Sequence, residues 1–423
     1  SRGLLQIWPG MIVRPGPMFS RRWPIEMAPS AGRPDMQRAP RVPGDILDEL
    51  GQAGEHAQRA LISAIAEPGD PTISRLIREL GPMATIERIT KPDLDPALHA
   101  RFIERLIRTS TLDDLDVAAK LGGRVIIPSD IDWPSQLNDL GPAAPWLLWV
   151  RGLPDLRLSM LRSVAVVGAR AATAYGDRVA SEFAAELAAS GWCIVSGGAF
   201  GVDTSAHRGA LAGGGLTAAV LACGVDVSYP PRNESLFDRI CEQGFLISEV
   251  APGAVPHRGR FLVRNRVIAA LTRGTVVVEA ALRSGSLATA RAAEELSRMV
   301  LAVPGPITSS LSAGANQLLR NGAHAVTSAA EVVEAVGELG GDLAPVPRAG
   351  TTALDHLDST SRAVVDALPG RGAMSAAELA RNAGIAPADV VGALAILELE
   401  GLVRRRSDGW CLVRRALPLG APN

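Results

Sequence analysis

The sequence predicts an α/β protein built on a doubly wound parallel sheet, with a helical segment before it and a small helix-and-hairpin domain after it. Three observations carry that prediction. Between residues 163 and 339, short Val/Ile/Ala runs alternate with stretches of helical periodicity, the pattern of a parallel sheet covered on both faces. Each Gly-rich turn in this segment follows an apolar run, at the strand ends where such sheets bind ligands. Outside it the pattern changes, to helical repeats alone before and to three short helices with a hairpin after. With 423 residues, 47% of them hydrophobic, the chain has material for several domains.

Taken in order, residues 1–44 hold eight prolines and seven arginines against Glu26 and Asp35, without periodicity. They read as a disordered basic arm or a non-native extension, and they lack the apolar stretch of a signal peptide. Residues 45–115 read as a helical domain. Ala57–Ala66, Ile73–Leu80 and Leu98–Ile107 repeat apolar residues at three and four, and Gly81-Pro82 ends the second helix. The layout is similar to small helix–hairpin–helix or SAM-like domains. Residues 116–162, with Val125-Ile126-Ile127-Pro128, Trp133-Pro134 and Pro145-Trp146, read as a connector.

The core spans 163–339. Strands are expected at Ser163–Val167, Cys193–Val195, Thr217–Leu221, Phe245–Ser248, Thr275–Val278 and Val300–Val303. Between and after them come helices at Gly176–Ala189, Thr204–Ala212, Ser235–Glu242, Val263–Leu271, Ser286–Arg298, Ala313–Asn321 and Ala329–Leu339. Residues 340–352 form a Gly/Pro/Ala linker. In 353–415, helices at Ser361–Leu368, Ser375–Ala383 and Pro387–Glu400 precede two strands joined by a turn at Ser407-Asp408-Gly409, the layout of a winged helix.

Composition excludes several functions. No stretch of about 18 apolar residues lacks charge, so a membrane span is not expected. Cys193, Cys223, Cys241 and Cys411 are scattered, with neither zinc-ligand nor disulfide spacing, and read as reduced apolar residues of a cytoplasmic protein. Net charge is −1, so no global basic field announces nucleic acid. Yet all basic residues other than Lys91 and Lys120 are arginines, whose planar fork suits phosphate contact.

Four turns at strand ends converge. They are Val167-Gly168-Ala169-Arg170 with Tyr175-Gly176; Ser196-Gly197-Gly198-Ala199-Phe200-Gly201 opening a helix at Asp203; Gly224-Val225-Asp226 leading to Tyr229-Pro230-Pro231-Arg232-Asn233; and Glu279 followed by Arg283-Ser284-Gly285-Ser286. Glycine frees the backbone, and helix starts leave N–H groups and a positive dipole end, so the four turns predict an anion-binding rim. One such turn serves a dinucleotide, whereas four suit a ligand with several phosphates. Beside them, residues 250–273 carry Arg258, Arg260, Arg264, Arg266, Arg273 and His257 without one acidic residue. On the helix Val263–Leu271 the inward positions are Val263, Val267, Ile268 and Leu271, which leaves Arg264-Asn265-Arg266 for a nucleic-acid groove.

In order and spacing, VGAR…YG, SGGAFGVDTSAH, CGVD…YP, SEVAPG, FLVRNR, VVEA..RSGSLATA, AVPG and GANQLLRNGA resemble the DNA-processing protein A (DprA/Smf) family. The motifs cover about 163 to 326 of this sequence, and the flanking segments match a three-domain version of the family. The resemblance implies an extended Rossmann-like core that binds single-stranded DNA cooperatively, forms a homodimer, and loads the recombinase RecA during natural transformation. It implies no cofactor, no metal and no enzyme activity. Residue by residue, it assigns DNA contact to Arg170, to Gly197, Gly198 and Gly201, to Arg264, Asn265 and Arg266, and to Ser284, Gly285 and Ser286. A lysine that often follows the Tyr-Pro pair is Pro231 here, with Arg232 one residue along as its substitute. Ala222 and Leu262 replace a common glycine and proline.

Two other classes compete. The strand ending in Glu279, with Glu294-Glu295 beyond, is faintly similar to nucleotide-binding phosphoribohydrolases of the lysine-decarboxylase-like type, but no Pro-Gly-Gly precedes its turn. Asp203 and His207 could form an acid/base pair, yet at i and i+4 on one helix they read more simply as a helix-stabilising contact. A transcription regulator would need a basic recognition helix. The segment Ala386–Glu400 instead carries Asp389, Glu398 and Glu400 with no Lys or Arg, and only Arg404-Arg405-Arg406 on the wing could touch phosphate.

Overall fold

A computed structural model describes residues 42–91, 96–109, 111–152, 154–338, 342–345 and 356–413. The arm expected at 1–44 lies outside them up to residue 41, as does most of the linker expected at 340–352. Among the described residues no single helix is long and apolar enough to cross a membrane. The chain forms two compact units, which meet in sequence at Ala344 and Pro345.

The first unit opens with five helices: α1 (Pro43–Ile65), α2 (Pro71–Leu80), α3 (Pro82–Thr90), α4 (Pro96–Arg108) and α5 (Thr111–Lys120). Local chemistry sets their ends. Asp70 accepts from the N–H groups of Thr72 and Ile73 to start α2 beside Pro71, and Gly81, at φ +83°, closes it. Ile62, Ile65, Ile73, Ile86 and Phe102 meet in a core of their own. The other side of α1 lies on the sheet, where Ala60 joins Trp149, and the Trp149 indole donates to Ser63 Oγ at 3.1 Å.

Residues expected to be a connector enter the sheet instead, as β1 (Gly123–Ile126) and β2 (Leu148–Arg151), followed by α6 (Leu156–Leu161). Four-residue strands without alternation carry little local signal. What holds them is the partner strand and the burial of Leu148, Trp149 and Val150.

The alternating core follows: β3 (Ser163–Val167), α7 (Ala174–Ala189), β4 (Cys193–Ser196), α8 (Val202–Ala212), β5 (Thr217–Val220), α9 (Glu234–Gln243), β6 (Phe245–Ser248), α10 (Arg258–Leu271), β7 (Gly274–Val277), α11 (Ser286–Glu295), β8 (Met299–Ala302), α12 (Ala313–Arg320), β9 (His324–Ala325) and α13 (Ala329–Val336). Strand order is β1-β2-β6-β5-β4-β3-β7-β8-β9, parallel from β6 to β9 and antiparallel at β1 and β2. The chain winds outward from β3 to β6, then returns to place β7 on the other side of β3. That reversal opens a crevice beyond the carboxyl ends of β3 and β7.

Period-two alternation assigns the two faces. Ala165 and Val167 turn toward Val267 and Leu271 of α10, Ala290 of α11 and Ala315 of α12. Val164 and Val166 turn toward Phe183 and Leu187 of α7, Ala206 of α8 and Val332 of α13. Each such Val or Leu side chain removed from water contributes about 1.5–3 kcal/mol. The doubly wound α/β fold expected from the sequence is the fold observed.

The second unit has α14 (Ser359–Ala367), α15 (Ala376–Ala383), α16 (Pro387–Leu399), β10 (Val403–Arg406) and β11 (Gly409–Leu412). Asp358 caps α14, and a Ser375–Glu378 capping box starts α15, which Gly384 ends in the left-handed conformation. β10 and β11 pair antiparallel around Ser407-Asp408, and Met374 bridges to Trp410 as a third short edge.

Candidate nucleic-acid interface

The carboxyl edge of the parallel strands carries all four expected turns, and backbone crowding explains their glycines. A Cβ on Gly201, at φ +71°, would stand 2.3 Å from the Ala169 carbonyl, so the first two turns touch. A Cβ on Gly197 would run into the Arg264 guanidinium, also within 2.5 Å. These glycines are required by close approach of the chain to itself.

Two of the four turns already hold an anion, and it is the protein's own, while the third gives its carboxylate to a neighbouring loop. Asp203, at the start of α8, accepts from Gly197 N at 3.2 Å and Ala199 N at 3.3 Å. Glu279, 2% exposed, accepts from Thr173 N at 2.9 Å and Thr173 Oγ1 at 2.7 Å, at the start of α7. Asp226 accepts from Gly253 N at 2.7 Å and 2.9 Å. In the fourth turn Ser284 and Ser286 bond each other at 2.7 Å, and Asn265 Nδ2 donates to Gly285 O at 3.1 Å. Asp203 and Glu279 thus occupy backbone donors of the first two turns that would otherwise face a phosphate.

The basic run divides in the same way. Arg264 and Asn265 are 7% and 8% exposed. Arg264 Nη1 donates to Gly197 O at 2.7 Å and to Val220 O, and Nε donates to Asn265 Oδ1 at 3.2 Å. Burial lowers the Arg264 pKa to about 10, with the Asp203 charge opposing the fall. Burial likewise raises Asp203 above the usual carboxylate range, with Arg264 opposing the rise. Arg266 pairs with the buried Glu249 at 2.7 Å, and Arg260 with Glu67 at 2.9 Å. Arg273 sits at the opposite end of the sheet, before β7.

Exposed along this edge are Arg170, Arg232, Arg258 and Arg283, accompanied by aromatic rings. The Arg170 guanidinium stacks over Phe261 at 4.7 Å, and Tyr229 meets Phe261 at 5.7 Å between centroids. Phe200 and Tyr229 are 44% and 40% exposed. Phe261 was within the quoted FLVRNR motif, yet no sequence signal marked it as a site residue, because its role depends on Arg170, 91 positions away. Asn233 is a second such residue, donating to Gly198 O at 3.1 Å and Thr204 Oγ1 at 2.8 Å.

Asp203 and His207 form no pair. Asp203 turns to the glycine turn, while His207 is fully buried with Nδ1 2.7 Å from Thr217 Oγ1. The expected helix-stabilising contact is replaced by two separate anchors. Among the described residues no group of three His, Cys, Asp or Glu side chains is arranged to hold a metal.

Comparison with known proteins assigns the family. The family model for DNA recombination-mediator protein A matches residues 124–337, and that for the DprA winged helix domain matches 348–409. A putative DNA processing protein DprA of Mycobacterium tuberculosis is 44% identical over 365 residues, covering 84% of this chain and 94% of that one. The DNA processing protein DprA of Streptococcus pneumoniae is 44% identical over 205 residues, 48% of this chain and 70% of that one. The X-ray structure of the Streptococcus pneumoniae protein superposes with a TM-score of 0.55 at 33% identity, covering 66% of this chain and 96% of that one. With both family models matched in order and identity sustained across nearly the whole of a relative, the chain belongs to the DNA recombination-mediator protein A (DprA/Smf) family.

Proposed function

We propose that the carboxyl edge of the sheet binds single-stranded DNA, and that the protein acts as a mediator seating the recombinase RecA on that strand. The observation that carries the DNA reading is the Arg170–Phe261–Tyr229 stack. A cation for phosphate stands beside the exposed Tyr229 ring for bases, the combination used for single strands irrespective of sequence. Duplex DNA keeps its bases stacked inside and gains nothing from the rings.

In this reading the expected contacts fall into two kinds. Arg170, Arg232, Arg258 and Arg283 meet the strand. Arg264, with Asn265 and Asn233, holds the Gly197–Gly198 turn in place without reaching solvent, and Ser284, Gly285 and Ser286 are tied to α10 through Asn265. Arg266 supports α10 from below through Glu249. The role is binding and handoff; neither catalysis nor a cofactor enters it. RecA loading, a homodimer and service in natural transformation follow from family membership and are proposed on that ground.

Arg170→Ala is the first test. Single-strand affinity falls and the dependence of log K on log salt flattens by about 0.7, one lost phosphate contact, while the melting temperature changes by no more than about 0.5 kcal/mol of stability would cause. Wild-type protein stimulates RecA-driven strand exchange on DNA coated with single-strand-binding protein, and Arg170→Ala does not. Binding that prefers duplex, or a wild type that leaves RecA filament formation unchanged, overturns the reading.

A further inference from the structure

The opposite edge of the sheet carries a second row of charge. Four adjacent parallel strands are each preceded by one large side chain: Trp192 before β4, Arg162 before β3, Arg273 before β7 and Arg298 before β8. Parallel pairing sets Arg162 beside Trp192 and Arg273 beside Arg298, each pair about 4.8 Å apart across the sheet, with Arg273 one residue out of step with Arg162 and level with Ser163. Contacts join them. The Trp192 ring, 1% exposed, has the Arg162 guanidinium 5.1 Å from its centroid and that of Arg273 at 5.8 Å. Arg273 and Arg298 line one recess of about 350 Å³ together with Gln136, Asp139 and Leu161.

The row is under-neutralised. Arg162 and Arg273 are exposed, and neither has a carboxylate within ion-pair distance among the described residues. Arg298 pairs with Asp139 at 2.6 Å, and its Nε is buried without a partner. That leaves three guanidinium groups against one carboxylate. The carboxyl edge mixes both kinds, with Arg260 and Arg266 each on a carboxylate and Arg170, Arg232, Arg258 and Arg283 exposed. Stacking on Trp192 fixes two of the planar forks, and a preorganised guanidinium loses less freedom when it meets phosphate.

We propose that this amino edge is a second binding site for the phosphate backbone of single-stranded DNA. The proposal rests on the reading of the carboxyl edge as a single-strand site and extends it. β3 and β4 are five and four residues long, which separates the edges by about 13–17 Å, too far for one phosphate to touch both. The amino edge therefore takes either a later part of the same strand or a second strand, and oligonucleotide length separates the two.

The test compares four full-length proteins by fluorescence anisotropy across a salt series: wild type, Arg162→Gln with Arg273→Gln, Arg170→Ala, and Arg208→Gln with Arg239→Gln as a charge-matched control on exposed helix positions. Oligonucleotides of about 8 and about 40 nucleotides lie at the scale of one groove and well beyond it. The amino-edge variant is expected to flatten the salt dependence by about 1.4, two contacts at about 0.7 each, while the control leaves it unchanged. The loss appears on the long strand alone if the strand continues round the sheet, and as a lower stoichiometry with the short one if a second strand binds. Arg162→Lys with Arg273→Lys retains most of the binding and keeps Trp192 covered, which separates lost charge from lost fold. A salt dependence and stoichiometry unaltered in the Gln variant overturn the amino edge, as does competition by poly-glutamate that no oligonucleotide reproduces. If instead Arg170→Ala binds like wild type and the amino-edge variant loses binding, the carboxyl-edge reading fails and this one stands.

Discussion

Arg264 shows how far a side chain's chemistry depends on where its neighbours come from. In sequence it is one of five arginines in an acid-free stretch. In the fold it is a strut, with donors on the carbonyls of Gly197 and Val220 and with Asp203 as its counter-charge. Arg264→Ala leaves those carbonyls unpaired and a buried carboxylate without its counter-charge, so it is expected to cost about 3–5 kcal/mol, read from urea unfolding, and to lose DNA binding as a consequence. Arg170→Ala loses binding at constant stability, so measuring both quantities separates strut from contact. His207 is the other residue whose burial is measurable. Thr217 Oγ1 donates to Ile194 O, so His207 Nδ1 carries the proton that it gives to Thr217, and Nε2 lies buried without a partner. Burial lowers its pKa to about 3, against about 6.5 in the unfolded chain. The unfolded state therefore takes up the proton first. Stability contributed by neutral His207 is complete above pH 6.5 or so and is lost as pH falls toward 3, at up to about 1.4 kcal/mol per unit. Asp203 and Glu249, both raised by burial, act in the opposite sense, adding stability as pH falls toward their ordinary range. The difference between wild type and His207→Leu in chemical unfolding from pH 7 to 4 isolates the histidine, and parallel pH profiles would refute its role.

At the scale of elements, α10 inverts what its sequence suggests, whereas α16 keeps to it. α10 carries most of the basic run but buries Arg264 and Asn265 with Val267 and Ile268, so those two polar residues face the turns while Arg258 stays exposed. α16 occupies the place of a recognition helix, yet Val391, Ile396 and Leu399 are its exposed large side chains, at 58%, 48% and 89%, and it has no Lys or Arg. A helix of that composition offers phosphate nothing. The second unit has its own core around Val364, Leu379, Leu394 and Leu397. Removing residues 345–423 is therefore expected to leave most single-strand affinity and the salt dependence in place in a mobility-shift assay. Loss of nearly all binding would put the site on the wrong unit.

Across the first unit, the helical segment does more than cover β2. Glu67, in the loop after α1, accepts from Arg260 Nε at 2.9 Å and Nη2 at 3.1 Å, and lies 3.4 Å from His257 and 3.5 Å from Arg105. Burial favours its neutral form, but the Arg260 hydrogen bond and charge, with Arg105 and His257, hold its pKa below the ordinary value. One carboxylate contributed from about 190 positions away thus withdraws a cation from the carboxyl edge. Glu67→Gln frees Arg260, and single-strand binding is expected to tighten with a salt dependence steeper by about 0.7. Glu79→Gln, an equal charge change on α2, leaves the slope as it was. Identical slopes for the two variants would show that Glu67 acts through net charge alone.

The family and the parallel core were legible in the sequence because both are written locally: two periodicities, glycines at strand ends, and motifs in a set order. The six strands expected between 163 and 303 stand within a residue of their observed ends. β1 and β2 were not legible, since four-residue strands depend on a partner for their signal. Nor was the charge state of the edges. Asp203, Glu279, Asp226, Glu249 and Glu67 reach their partners from elements brought together only by the fold, except where Asp203 turns back on its own loop. Sequence by itself determined what kinds of group line this protein; tertiary structure decided which of them are free, because an ion pair is set by distance in space and burial, and neither is a property of neighbouring positions in a chain.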